Sequence, residues 1–310
     1  MIRASPLTGY QIPGMKERII TTLFADDTTV YLSQWDHYSD LQDILKLWCR
    51  ASKAKFNLEK TMVIPIGTSP YRNSVIMRAN LPDGQEPLPP EVTVAKDKTM
   101  TRILGAWIGN DIDPMAPWQP VLKSLKQRLL EWGRTNPTPF GRRLIANMEV
   151  GGRTQYLSKV QGMPLAIQNE ITSIIRTFMW PDQTTPPINL STLQRPIREG
   201  GLALIDIKAR AKATLLTWLQ PFLNLSESRP AWAYVADCLL ALNAKKSGPQ
   251  YDNETKLQYF LQNWSVNASA NSNLPRPLKA LLNLAKEYNV SLSTIKMNPT
   301  AKKKMPLWLH

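Results

Sequence analysis

The sequence predicts an α+β protein, and three observations carry that prediction. Short β-prone runs crowd the first third of the chain, the hydrophobic period changes to that of helices from Trp118 onward, and proline- and glycine-rich breakers separate the helical stretches. The first β-prone runs are Ile19 to Phe24 and Thr28 to Leu32, both rich in β-branched and aromatic residues, which places Ala25-Asp26-Asp27 at or near the turn of a β-hairpin. Next, Leu41, Ile44, Leu45 and Trp48 recur at helical spacing, and Ser39 with Gln42 has the pattern of a capping box. "TMVIPIG" returns to strand character. The stretch from Thr68 to Pro90, broken by proline, glycine and aspartate, reads as a loop, and "EVTVAKDKTMTRILGAWIG" as two short strands with a polar turn between them.

Beyond Trp118, Leu122, Leu125, Leu129 and Trp132 share one helical face, and further helices are predicted over about Gly141 to Val160, Leu165 to Trp180 and Ile207 to Leu223. "NPTPFG", "QGMP", "WPDQTTPP" and "REGG" are the breaks between them. Gly200-Gly201 fits a helix C-terminus and turn better than a phosphate loop, since no Walker lysine comes after it. "NAKKSGPQYDNETK" marks a junction near Lys245, Leu274 to Tyr288 reads as one more basic helix, and Lys302 to Lys304 fall in a loose tail. The domain reading is 1–114 for the β-containing part, 115–245 for the helical part and 246–310 for a basic helical extension.

The chain has 310 residues with a formal net charge of +14, from 38 Lys and Arg against 24 Asp and Glu. That excess points to polyanionic partners, and nucleic acid is favoured because no basic amphipathic helix with a strongly apolar opposite face dominates. Cys49 and Cys238 are the only cysteines and His37 and His310 the only histidines, so neither a disulfide framework nor a Cys/His zinc site can be assembled. No leader-like apolar segment and no membrane span is read from the sequence, and the expected location is intracellular, nuclear or cytoplasmic.

The adjacent carboxylates of "TTLFADDTTVYLS" admit two readings. Aspartate is a common turn residue because it tolerates turn dihedrals and bonds its own backbone. Equally, Mg²⁺ is held by one or two carboxylates together with substrate phosphates, and a tight hairpin projects such groups from a rigid support. The local string does not decide between them.

In the company of the segments downstream, Phe24-Ala25-Asp26-Asp27 resembles the catalytic Phe/Tyr-x-Asp-Asp box of reverse transcriptases. "KFNLEKTMVIPIG" is similar to the segment after the next helix in reverse transcriptases of non-LTR (LINE-type) retrotransposons, and "RILGAWIG" to the strand after that. "LEWGRTNPTPFGRRLIANMEVGGRTQYL" resembles their thumb segment, and "IRTFMW" with "REGGLALIDIKARAKATLLTWL" the region downstream. The order holds from about Ile2 to Trp232, about three quarters of the chain. The resemblance implies a partial polymerase palm followed by a mainly α-helical thumb and connector, and RNA-directed DNA polymerase chemistry with two Mg²⁺ ions in the intact family. It also implies that the chain enters just before the catalytic hairpin, without the fingers and the first palm aspartate, and is inactive alone.

By this resemblance Asp26 is a metal ligand, Asp27 a weaker or more remote partner, and Phe24 a neighbour of the primer terminus. Lys60 matches a lysine that steadies the triphosphate or protonates the leaving pyrophosphate, with an ordinary solvated lysine as the other reading. Gly105 allows close approach of a primer backbone or forms a bulge. Lys123, Lys126, Arg128, Arg134, Arg142, Arg143, Arg153 and Lys159 form a basic set suited to the phosphates of a duplex, whereas Trp132, Trp180 and Trp218 are expected in the core. The expected partners are an RNA template, an RNA–DNA duplex and the missing polymerase half in trans, with no membrane. The competing class is a non-enzymatic, basic nucleic-acid-binding protein derived from such an element; a helical interaction domain with a metal-free Asp-Asp turn is the third.

Overall fold

The computed structural model describes residues 1–78, 88–181, 183, 185–245, 256, 258–262, 264–269, 271–290, 299 and 303. The chain is an α+β protein that divides into two compact units, Met1–Ile112 and Asp113–His310.

In the first unit, β1 (Thr21–Phe24) and β2 (Asp27–Val30) form an antiparallel hairpin in the register Thr21↔Val30 to Phe24↔Asp27. Its base is extended by an antiparallel bridge between Tyr10 and Ile19 and by the bond from Tyr31 N–H to Ile20 O. Helix α1 (Tyr38–Ser52) covers that base: Leu41 meets Leu7 and Ile20, with Val30, Leu32, Ile44 and Leu45 around them. The helix starts behind His37 with no side-chain cap, so Ser39 lies inside the first turn and the expected Ser39–Gln42 capping box is absent.

Asp36 fastens the base. Its carboxylate accepts from the backbone N–H groups of Thr8 (2.5 Å), Gly9 (2.9 Å) and Ser33 (2.7 Å), joining the strand that enters the hairpin to the turn that leaves it. Burial pushes the Asp36 carboxyl up, but these backbone donors together with the Ser33 hydroxyl outweigh it and hold the group below the usual carboxylate range.

Part of the stretch expected to be a loop is helical. Ser69–Arg78 forms α2, because Pro70 sits in the first turn, where its missing N–H and fixed φ are tolerated. Val75 buries its side chain, and Arg72 donates to both Asp97 (2.8 Å) and Asp111 (2.9 Å), holding the Asp97 carboxyl below its ordinary range. The remainder of that stretch, 79–87, lies outside the described residues.

The strand pairing also departs from expectation. β3 (Met62–Val63) pairs in parallel with β4 (Thr93–Val94), while β5 (Thr101–Ile103) and β6 (Ala106–Ile108) make their own hairpin. "RILGAWIG" is therefore two strands around a turn rather than one strand. Leu104 (φ 48°) and Gly105 (φ 81°) are its two loop residues, and positive φ at both is the signature of a type I′ turn.

The second unit is helical. α3 (Gln119–Gly133), α4 (Pro139–Gln161) and α5 (Leu165–Met179) pack pairwise, burying Leu122, Leu125 and Leu129 with Ala146 and Val150 and with Ile167, Ile171 and Ile175. Trp118 is fully buried ahead of α3, and its indole N–H reaches Gly162 O. After the short α6 (Leu190–Gln194), the chain makes a close return through Gly200 and Gly201. Asn147 of α4 receives that return, donating to Ala203 O (3.0 Å) and accepting from Ile205 N–H (2.8 Å). Asp206 then caps α7 (Ile207–Phe222) by accepting from Lys208 and Ala209 N–H.

α8 (Ala231–Leu242) is a helix the sequence did not announce. "AWAYVADCLLAL" is apolar almost throughout, so no polar face marks its period. It packs with α7 and α9 (Arg276–Glu287) around Phe222, Ala233, Leu240, Leu281 and Leu282, so the helix expected of a separate extension shares a core with α7 and α8. Arg229 is sandwiched by the rings of Phe222 and Tyr234 and pairs with Asp237 at 2.6 Å. Burial nonetheless pushes the Asp237 carboxyl up to about 6, ahead of the lowering by Arg229. The expected junction lies outside the described residues over 246–255, and so does the basic tail apart from Lys303. Among the described residues, no helix is long and apolar enough to cross a membrane.

Candidate functional site

Because Phe24 and Asp27 are the last paired residues of the β1–β2 hairpin, Ala25 and Asp26 form its two-residue loop. Ala25 takes φ 51°, a left-handed conformation that costs a residue with a Cβ about 1–2 kcal/mol. An Ala25→Gly variant is therefore expected to slow opening of the hairpin roughly fivefold, measured as amide exchange of the loop and its flanking pairs. The tight turn projects Asp26 and Asp27 into solvent, and Phe24 beside them is 66% exposed. Neither carboxylate is engaged by an ion pair or a side-chain hydrogen bond among the described residues.

Lys60 ends a short helical turn, Leu58–Lys60, where its N–H is capped by Asn57 Oδ1 at 3.1 Å. Its side chain is exposed, and no ion pair or hydrogen bond among the described residues links it to Asp26 or Asp27. Gly105 has a conformational task of its own in the β5–β6 turn, which accounts for a glycine there without a ligand. No group of three or more His, Cys, Asp or Glu among the described residues is arranged to hold a metal ion. The tip thus offers two adjacent carboxylates. That donor set suits one Mg²⁺ whose remaining ligands come from phosphates and water, and falls short of a cage for two ions.

The basic set divides sharply once its contacts are known. Lys123, Arg134 and Lys159 are exposed without an acidic partner among the described residues. Lys126 pairs with Glu170 (2.8 Å) and Arg128 with Glu131 (3.5 Å), both at the surface. Arg153 donates to Glu149 at 2.7 Å and to Ser124 at 3.3 Å. Although burial pushes the Glu149 carboxyl up, Arg153 and the Trp132 indole hold it below its ordinary range, so the exposed Arg153 is partly balanced by that carboxylate.

Arg142 is a correction: it is 9% exposed, donates to Phe178 O (2.7 Å) and Pro137 O (3.1 Å), and stacks against the Phe178 ring. It joins α4 to the end of α5 and is not a phosphate ligand. Arg143 is half-buried, with its guanidinium over the exposed ring of Phe140. Trp132 is another departure, since it lies partly in solvent with its N–H on Glu149, while Trp218 donates to Lys159 O.

The structure brings forward residues that charge counting missed. Leu144, Met148, Gly152 and Tyr156, spaced by four along α4, are all exposed, Met148 at 57%. Gly151 has an internal reason, because a Cβ there would press on Arg210 and Ile205, but a Cβ at Gly152 would meet nothing. A mid-helix glycine costs about 0.5–1 kcal/mol relative to alanine, and no contact among the described residues accounts for this one. "EVGGRTQ" inside a helical pattern was the available signal, and only burial separates the two glycines. No protein-family model matches the chain, and no curated protein matches it.

Proposed function

We propose that the chain is the late palm, thumb and connector of a LINE-type reverse transcriptase, and that by itself it binds nucleic-acid duplexes without synthesising DNA. The hairpin tip carries this reading: Asp26 and Asp27 stand exposed in a two-residue turn beside Phe24, in the same short string as the polymerase box. A turn aspartate with only a conformational job needs no second carboxylate and no exposed phenylalanine next to it. In this reading Asp26 and Asp27 hold Mg²⁺, which supplies the electrophilic pull on the nucleotide phosphates when bound, and Phe24 packs against the primer end. A two-ion reaction requires a further carboxylate beside this pair, and the hairpin tip does not supply it.

The exposed face of α4 favours the binding reading independently. Leu144, Met148, the notch at Gly152 and Tyr156 offer a narrow apolar ridge, with Lys159 one turn further on. Such a ridge suits the sugar edges of a duplex groove, while lysines meet the phosphates.

Two measurements test the proposal. On a poly(rA)–oligo(dT) substrate with Mg²⁺, the chain alone is expected to give no extension. Extension by the chain alone that Asp26→Ala abolishes would overturn the view that its site is incomplete. In binding to an RNA–DNA duplex, affinity is expected to fall steeply with salt. Gly152→Ala should raise thermal stability while weakening that binding by roughly tenfold, and a variant that gains stability with unchanged affinity removes α4 from the interface.

A further inference from the structure

At the surface of the second unit's C-terminal core lies an open cavity that duplex binding by α4 does not use. Its volume is about 570 Å³, and Tyr259, Phe260, Gln262, Trp264, Lys286 and Asn289 line it. The aromatic rings are packed edge to face, Tyr259 against Phe260 at 5.2 Å between centroids and against Trp264 at 5.5 Å. Gln262 Oε1 accepts from the Trp264 indole N–H at 3.0 Å and from Gln258 N–H at 3.0 Å, which fixes the indole plane before any ligand arrives. From the end of α9 come Lys286 and Asn289. Among the described residues Lys286 has no acidic partner, because the neighbouring Glu287 is taken by Lys212. Asn289 holds a left-handed conformation (φ 47°) just past the helix, at the cavity rim.

These groups select a ligand chemistry. Tyr259 and Trp264 suit a flat ring system, the Lys286 ammonium suits an anion, and an asparagine amide offers a donor and an acceptor together, as the edge of a base requires. A lipid chain would leave Lys286 and Asn289 without a role. A quaternary ammonium would meet a lysine and no carboxylate among the described lining residues. A duplex keeps its bases stacked inside and cannot present one to a recessed ring.

We propose that this cavity takes an unpaired nucleotide of single-stranded RNA or DNA, with its base against Tyr259 or Trp264 and its phosphate on Lys286. Such a site belongs to a class whose stacking tolerates any base, and it stands independently of the hairpin's role.

The test uses the full chain and short fluorescent oligo(U), oligo(dT) and an abasic strand of the same length. The two oligonucleotides are expected to bind roughly tenfold more tightly than the abasic strand, which keeps the phosphates and loses the stacking. Tyr259→Ala should abolish that difference. Lys286→Glu, on an exposed helical position where folding is not at risk, should weaken all three strands and lower the salt slope by about one unit. Photocrosslinks from 5-bromouracil strands should map to Tyr259 or Trp264. Equal binding of abasic and base-bearing strands overturns the proposal, as does unchanged affinity in Lys286→Glu or crosslinks confined to other segments. A preference between oligo(U) and oligo(dT) tells which nucleic acid the site takes. Binding to an RNA–DNA duplex, measured in the same assay, separates failure of this site from failure of the duplex reading.

Discussion

An Asp36→Asn variant is expected to open the base of the β1–β2 hairpin about a hundredfold more often than the unchanged chain, read as amide exchange at Thr8, Gly9 and Ser33. The residue is only 5% exposed and its two carboxylate oxygens serve three backbone donors. Asparagine keeps the shape but offers one acceptor, turning an amide NH₂ toward N–H groups that need one. Leaving buried donors unmet in this way costs about 3 kcal/mol, which is about two decades in local opening. The pH dependence has a definite sign. Because the folded carboxyl lies below its ordinary value, its contribution is complete above about pH 4 and is lost as pH falls through the lower, folded value. Protection of these amides in the unchanged chain should therefore fall on acidification, while the asparagine variant, already unprotected, should not respond. Equal protection in the two proteins at neutral pH would remove Asp36 from the support of the hairpin tip.

Gly201→Ala is expected to be the most damaging single methyl group in the second unit. A Cβ there would lie 2.1 Å from Arg195 O and 2.6 Å from its carbonyl carbon, and backbone atoms cannot rotate away as a side-chain end can. The return from Gly201 to Ile205 is held at both ends: Leu202 and Leu204 N–H donate to Leu193 O, and Ala203 O and Ile205 N–H meet the Asn147 amide. Displacing it breaks several of these bonds together, at about 3–5 kcal/mol, and frees the start of α7 from α4. Gly200→Ala is the control. Its φ of 80° makes alanine strained, but no atom of the described residues lies near the added methyl, so about 1–2 kcal/mol is expected. Thermal unfolding of both variants, with proteolysis between α6 and α7 as the local probe, checks the ranking; equal effects would mean that strain rather than contact governs the turn.

Periodicity made much of the fold legible in the sequence. α3, α4, α5 and α7 each bury one face and expose the other, so Leu122, Leu125 and Leu129 declared a helix before any contact was known. The hairpin was legible because β-branched runs flank a turn-prone pair. α8 was hidden by the same logic, since a helix apolar on nearly all sides has no period to read, and α2 was hidden because Pro70 breaks a helix anywhere except its first turn.

The sequence by itself determined the mixed class, the hairpin that carries Asp26 and Asp27, and a cationic surplus suited to polyanions. It could not say which cations are available, because that depends on partners distant in the chain. Arg142 is spent on Phe178 O, Arg153 on Glu149 and Lys126 on Glu170, whereas Lys123, Arg134 and Lys159 keep their charge at the surface. Only the tertiary structure decided that Gly151 is packed while Gly152 faces open space, and that the residues after Lys245 bring Lys286 and three aromatic rings to one cavity. The reason is physical: residue type sets what a side chain is able to do, and burial together with the nearest opposite charge sets whether it is free to do it.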